Sequence, residues 1–258
     1  MSDQATQLRQ LVLRAARQRE ADGLPPPRIA AVLAARPGCG VTAVAAGLGR
    51  ALVEQGSRVV AIDADAQHRD LAGSCGVDVP ATYDAAAARH DIHESLLRAP
   101  GGLQVVPGVW DDEGVAAKAA QQLLRQFQQL GRHADWLVLD LGACSSDLLS
   151  QWSEAIQRFV IVATPDASVV METYAMIKRS LEGRAGEGLE LFVNQAADDA
   201  IAGDVLARVD RSCRRFLGLP IQFAGRAALG DDLSARLAGL AGRLCDRSVE
   251  QAAQRRAA

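Results

Sequence analysis

From residue 28 onward, short apolar runs alternate with longer amphipathic stretches. Ile29–Ala35, Arg58–Ile62, Leu103–Val106, Trp136–Leu139, Phe159–Ala163 and Leu189–Val193 are almost continuously apolar and have the length of strands. Runs of that kind, without polar alternation, predict strands covered on both faces. Val41–Gln55 reads as a helix closed by Gly56, and helical stretches fill most of the remaining gaps. Strands separated by helices predict an α/β fold, a mainly parallel sheet with helices on both faces. Ligands on such sheets sit at the carboxyl ends of the strands. Every unusual residue of this chain falls there.

The two ends of the chain depart from that alternation. Residues 1–22 carry Leu8, Leu11, Val12, Ala15 and Ala16 at helical spacing, with Arg9, Arg14, Arg17 and Arg19 on other faces. This predicts an N-terminal helix capped by Ser2 or Asp3. Residues 23–27, Gly-Leu-Pro-Pro-Pro, break the helix and form a stiff linker. The main domain is expected over residues 28–230. Residues 231–258 form a last helix, with Leu233, Leu237, Leu240 and Leu244 in one stripe beside Arg236, Arg243 and Arg247. Such a stripe suits a helix packed on its own domain or one lying on a membrane surface.

Composition narrows the class. At 258 residues, with 49% hydrophobic and 23% charged residues, the chain is expected to fold as one sizeable core. A net charge of −3 without a long basic run argues against strong nucleic-acid binding, whose affinity comes from neutralised phosphates. Cys39, Cys75, Cys144, Cys213 and Cys245 are isolated and odd in number, and neither they nor His68, His90, His93 and His133 show ligand spacing. No apolar run approaches the roughly 20 residues of a membrane span. A cytoplasmic protein is expected, with peripheral contact at the inner face of the cell membrane left to the last helix.

The chemistry concentrates in Ala35-Arg36-Pro37-Gly38-Cys39-Gly40-Val41-Thr42, between the first strand and the first helix. Gly38 and Gly40 permit the tight backbone that wraps phosphate oxygens, at a helix end that favours anions. Thr42 stands where a phosphate loop supplies a hydroxyl to Mg²⁺. This stretch and its surroundings resemble the MinD/ParA group of P-loop ATPases, whose loop reads K-G-G-x-G-K-[ST]. The resemblance places Arg36 at the signature lysine, which in the family reaches the partner subunit's phosphates. It places Val41 at the P-loop lysine, and Pro37 at the first glycine of the pair. Losing one charge-assisted contact costs on the order of 1.5–3 kcal/mol. The resemblance therefore implies a degenerate loop with little or no ATP turnover.

Other positions keep the family pattern. Asp63 and Asp65 match its D-x-D, where an aspartate orients the attacking water. Asp140 matches the carboxylate that holds Mg²⁺ through water, and Asn194 the asparagine that reads adenine. The resemblance implies ATP or ADP, with Mg²⁺ at Thr42 and Asp140, as the cofactors.

Within that group the chain is similar to the FlhG family, also called FleN or YlxH, over nearly its whole length. Thr82-Tyr83-Asp84, then Pro100-Gly101-Gly102-Leu103, carry the likeness. Asp140-Leu141-Gly142-Ala143, Thr164-Pro165-Asp166, Tyr174–Lys178 and Phe216–Leu219 extend it. At the N-terminus, Asp3-Gln4-Ala5-Thr6-Gln7-Leu8-Arg9 fits D-Q-A-x-x-L-R, by which that family stimulates the GTPase FlhF. The resemblance implies that Asp3, Gln4, Ala5, Leu8 and Arg9 contact an FlhF-like GTPase of the SRP family. Gln4 would steer the attacking water, Leu8 would enter an apolar groove, and Arg9 would pair with an acidic rim or a phosphate. Flagellar switch-complex proteins are further partners of the family, and either a monomer or a homodimer fits. The alternative is an active MinD-type ATPase with an ATP-dependent monomer–dimer cycle.

Overall fold

A computed structural model of the chain describes residues 27–110, 122–123, 125–127, 130, 134–143, 149, 152–181 and 188–257. The expected N-terminal helix and most of its linker lie outside these residues. The strands are β1 (Arg28–Leu33), β2 (Val59–Asp63), β3 (Leu97–Arg98), β4 (Gln104–Val106), β5 (Trp136–Asp140), β6 (Arg158–Ala163), β7 (Leu189–Val193) and β8 (Gln222–Arg226). The helices are α1 (Val41–Glu54), α2 (Leu71–Ser74), α3 (Ala85–His90), α4 (Ala167–Leu181), α5 (Asp199–Leu217) and α6 (Leu233–Ala257).

The strands form one sheet in the order β3-β4-β2-β5-β1-β6-β7-β8. All neighbours are parallel except the β3–β4 pair at one edge. Every residue of β2, β5 and β7 is buried, so both faces of the central sheet are covered. This is the mainly parallel α/β architecture that the apolar runs predict. Two short strands escape that reading. Leu97–Arg98 is only two residues long, and Gln222–Arg226 is a half-exposed edge with a register shift against β7 at Leu191/Phe192.

Helix α6 packs on α1. A Cβ added at Gly47 would lie 2.7 Å from the Leu233 Cβ, and Leu237, Leu240 and Leu244 are buried. The leucine stripe therefore faces the domain's own first helix, which corrects the membrane-surface alternative for these four residues. Buried Phe127, Trp152 and Trp110 form an aromatic cluster, with Trp110 stacked on Trp152 at 5.9 Å. No described helix is long and apolar enough to cross a membrane.

Candidate nucleotide site

The loop between β1 and α1 is set by two left-handed glycines, Gly38 (φ 85) and Gly40 (φ 84). Gly40 is also fixed by space, because a Cβ there would meet Asn194 Nδ2 at 2.4 Å. Asn194, at the end of β7, is buried and donates from Nδ2 to the Cys39 carbonyl at 2.9 Å. The next residue, Gln195, donates from Nε2 to the Gly38 carbonyl at 3.5 Å. The tip of β7 thus braces the loop. Val41 opens α1 with its side chain in the apolar core, 6% exposed. A β-branched apolar group occupies the position that the resemblance assigns to a cation.

Three carboxylates stand on the opposite side of β1. Asp63 and Asp140 end the adjacent strands β2 and β5 in parallel register. Asp63 is fully buried and accepts from the backbone N–H of Leu71 at 3.1 Å and of Asp65 at 3.3 Å. Burial, then the neighbouring Asp140, pushes its pKa up to about 8 against those hydrogen bonds. Asp140 is raised to about 6, chiefly by burial and opposed by hydrogen bonds from the Thr42 hydroxyl and the Gly142 N–H. Asp65 accepts from Gln67 N–H at 2.8 Å, and its Oδ2 lies 3.4 Å from His68 Nδ1. The two residues are three apart in the turn after β2, a relation that ligand spacing does not reveal.

Mg²⁺ fits one corner of this group. Asp140 Oδ2 is buried without a hydrogen-bond partner among the described residues, while the same carboxylate takes the Thr42 hydroxyl. An orphaned anionic oxygen beside a hydroxyl matches a hard cation. No three His, Cys, Asp or Glu side chains among the described residues converge as a metal cage. Thr42 and Asp140 would therefore hold the ion together with phosphate oxygens and water, which is usual for Mg²⁺.

Arg36 faces the other way. Its Nη2 lies 2.9 Å from Asp166 Oδ2, its Nη1 donates to Ser168 Oγ at 2.8 Å, and Glu172 is 3.8 Å away. The cation at the signature position is thus tied to the start of α4 in its own chain. The Ser168 N–H and hydroxyl, then Arg36, hold Asp166 down to about 2. In Arg36→Ala the Asp166 carboxyl is expected to titrate higher but still below an ordinary aspartate, because both Ser168 donors remain. Carboxyl ¹³C shifts followed with pH check this. A midpoint unmoved by the substitution would show that Arg36 is not its partner in solution.

Between Arg36–Cys39, the Thr164–Asp166 turn after β6 and Gln195 lies a cavity of about 350 Å³. That size falls in the range of small-molecule pockets. The structure brings Gly38, Gly40, Val41, Thr42, Asp63, Asp65, Asp140 and Asn194 together at the carboxyl ends of β1, β2, β5 and β7. Arg36 stands at the cavity rim. Asp3, Gln4, Ala5, Leu8 and Arg9 lie outside the described residues. Sequence reasoning missed Ser168, Glu172 and Gln195. The Asp-x-Ser spacing ahead of α4 is a local capping signal that points to the first of these.

A glycine-bent loop between the central strand and its helix, with carboxylates on the neighbouring strand tips, defines a P-loop nucleotide-binding fold of the MinD/ParA type. Residues 28–207 match the family described as cellulose biosynthesis protein BcsQ. The chain belongs to that family, and within the MinD/ParA group it is FleN/YlxH-like. It is 25% identical over 204 residues to the antiactivator FleN of Pseudomonas aeruginosa, covering 78% of this chain and 73% of that one. It is 26% identical over 171 residues to the flagellum site-determining protein YlxH of Helicobacter pylori, covering 65% of this chain and 58% of the relative. Among solved structures, the septum site-determining protein MinD of Pyrococcus horikoshii complexed with Mg-ADP superposes with a TM-score of 0.63. The identity is 17%, covering 84% of this chain and 96% of that one.

Proposed function

We propose that the chain is an FlhG-like regulator of flagellar number and placement. It stimulates an FlhF-like GTPase through its leading segment, and its own pocket binds adenine nucleotide but hydrolyses it little. The observation that carries this reading is the heptad Asp3–Arg9 ahead of a FleN/YlxH-like domain. The matching family is described by cellulose biosynthesis, whereas the two relatives above are named for flagellar control; the heptad favours the latter.

Nucleotide binding is supported by the loop glycines, by Thr42 beside an under-coordinated Asp140, and by the Mg-ADP held by the structurally similar MinD. When bound, Mg²⁺ would neutralise phosphate charge. Weak turnover is supported by the buried Val41 and by Arg36's attachment to Asp166. Phosphoryl transfer depends on positioned cations around the phosphates. The retained Asp63, Asp65 and Asp140 favour the second reading, a MinD-type ATPase with an ATP-dependent dimer, which needs another cation in place of the lysine. Flagellar switch-complex proteins remain proposed partners on the FleN/YlxH likeness alone.

Two turnover assays on the purified full chain test these readings. The expected results are negligible phosphate release from ATP and faster GTP hydrolysis by an FlhF-like GTPase from the same organism when the chain is added. Gln4→Ala is expected to remove that stimulation without shifting the thermal unfolding of the protein. Stimulation that survives the substitution overturns the role of Gln4. Brisk Mg²⁺-dependent ATP hydrolysis overturns the impaired pocket and favours the second reading.

A further inference from the structure

We infer that Trp110 is a positioning residue for the cation end of the nucleotide site, acting through its indole N–H on the Asp63–Asp65 turn. This rests on the nucleotide binding proposed above and names a residue that tunes it from outside the pocket. Strand β4 pairs with β2 in parallel register as far as Val106 opposite Ile62. The next residue, Pro107, has no N–H to donate, so the backbone ladder cannot continue there. The chain recovers it two residues later. Val109 N–H donates to the Asp63 carbonyl at 3.1 Å, and Trp110 Nε1–H to the Ala64 carbonyl at 2.9 Å. A side-chain donor thus supplies the last rung, at the tip where the chain leaves β2.

That rung fixes the carboxylates around it. The peptide between Ala64 and Asp65 is held from both sides, its carbonyl by Trp110 and its N–H by Asp63 Oδ1 at 3.3 Å. Ala64 also donates its own N–H to the Asp140 carbonyl at 2.8 Å. Asp63, Asp65 and the backbone of Asp140 therefore meet at one turn whose orientation the indole sets.

Trp110 is 1% exposed, so it acts on a ligand only through this turn. Its ring stacks on Trp152 at 5.9 Å, a contact that another aromatic ring can make. The N–H is what only tryptophan brings here, and a buried donor and acceptor are costly to separate. Removing the donor takes this partner from the Ala64 carbonyl and frees the turn to rotate. The carboxylates then move, and the loop that wraps the phosphates does not.

The chain has three tryptophans, and Trp136 begins β5 at the opposite end of the sheet. ¹H–¹⁵N spectra of the full chain separate their indole N–H groups, assigned with Trp136→Phe and Trp152→Phe. Adding ADP with Mg²⁺ is expected to shift the Trp110 signal and leave that of Trp136 in place. In calorimetry, Trp110→Phe is expected to bind ADP with Mg²⁺ roughly tenfold more weakly, the worth of one buried polar contact. With a chelator in place of Mg²⁺ it is expected to match the wild type. Trp152→Phe disturbs the same aromatic cluster without touching the donor, and is expected to keep the affinity for ADP with Mg²⁺. An unmoved Trp110 signal, or a Trp110→Phe chain that binds ADP with Mg²⁺ as tightly as the wild type, overturns the inference and leaves nucleotide binding standing. An equal loss in Trp152→Phe also overturns it, since ring packing would then be the cause. So does a loss in Trp110→Phe that persists with the chelator, because the effect would not belong to the cation. A wild-type chain that binds ADP under neither condition overturns the nucleotide reading and this one with it.

Discussion

Gly142→Ala is expected to destabilise the fold by about 2–4 kcal/mol, among the largest effects of any single methyl addition in this chain. Gly142 follows β5 with φ 56, and an added Cβ would lie 2.1 Å from Asp65 Oδ2 and 2.4 Å from its Cγ. Neither distance is tolerable, so the Asp65 carboxylate must leave. It then gives up the Gln67 N–H and its place beside His68. The backbone penalty for a left-handed alanine, about 1 kcal/mol or more, adds to this. Denaturant unfolding measures the total. The double variant Asp65→Ala/Gly142→Ala is expected to regain part of it, because the clash disappears while the backbone penalty stays. A single variant within about 0.5 kcal/mol of wild type would mean that Asp65 does not pack on this turn.

The second large effect is a pH dependence set by Asp63. In the folded chain its carboxyl keeps its proton up to about 8, whereas an aspartate in the unfolded chain loses it near 3.9. Between those values the folded state binds more protons, so stability must fall as pH rises. The contribution is complete below about 4 and is lost on the way to about 8. Asp140, raised to about 6, adds a loss of the same sign over the lower part of that window. Unliganded protein is therefore expected to melt at a higher temperature at pH 5 than at pH 8. Asp63→Asn removes the charge that has to be buried at high pH. It is expected to flatten the profile between pH 6 and 8 and to gain on the order of 5 kcal/mol over wild type at pH 8. Thermal unfolding across pH 5–8 checks both statements. A wild-type profile that rises with pH would show that Asp63 is ionised in the fold.

The legibility of this chain follows burial. Continuous apolar runs such as Leu137-Val138-Leu139 and Phe159–Ala163 announce central strands because both faces must be covered. Gln222–Arg226 does not, since an edge strand with exposed Gln222 and Phe223 meets no such demand. In the site, Gly38, Gly40, Thr42 and the strand-end aspartates were readable because each serves a local need of a phosphate loop. The attachment of Arg36 to Asp166 spans 130 residues and depends on how β6 lies beside β1, which no local pattern encodes. Asn194 shows the limit from the other side. Its position fits the family motif, and only packing reveals that the same amide also braces the loop and its own turn.

The first described strand occupies the middle of the sheet, with its amino end at Arg28 and the phosphate loop beyond its carboxyl end. Six extended residues put about 20 Å of covalent rod between those poles. The described chain begins at residue 27, at the pole away from the phosphate loop. A substitution near Arg28 and one in the phosphate loop therefore act at opposite ends of the same strand, and each can be assayed without touching the other.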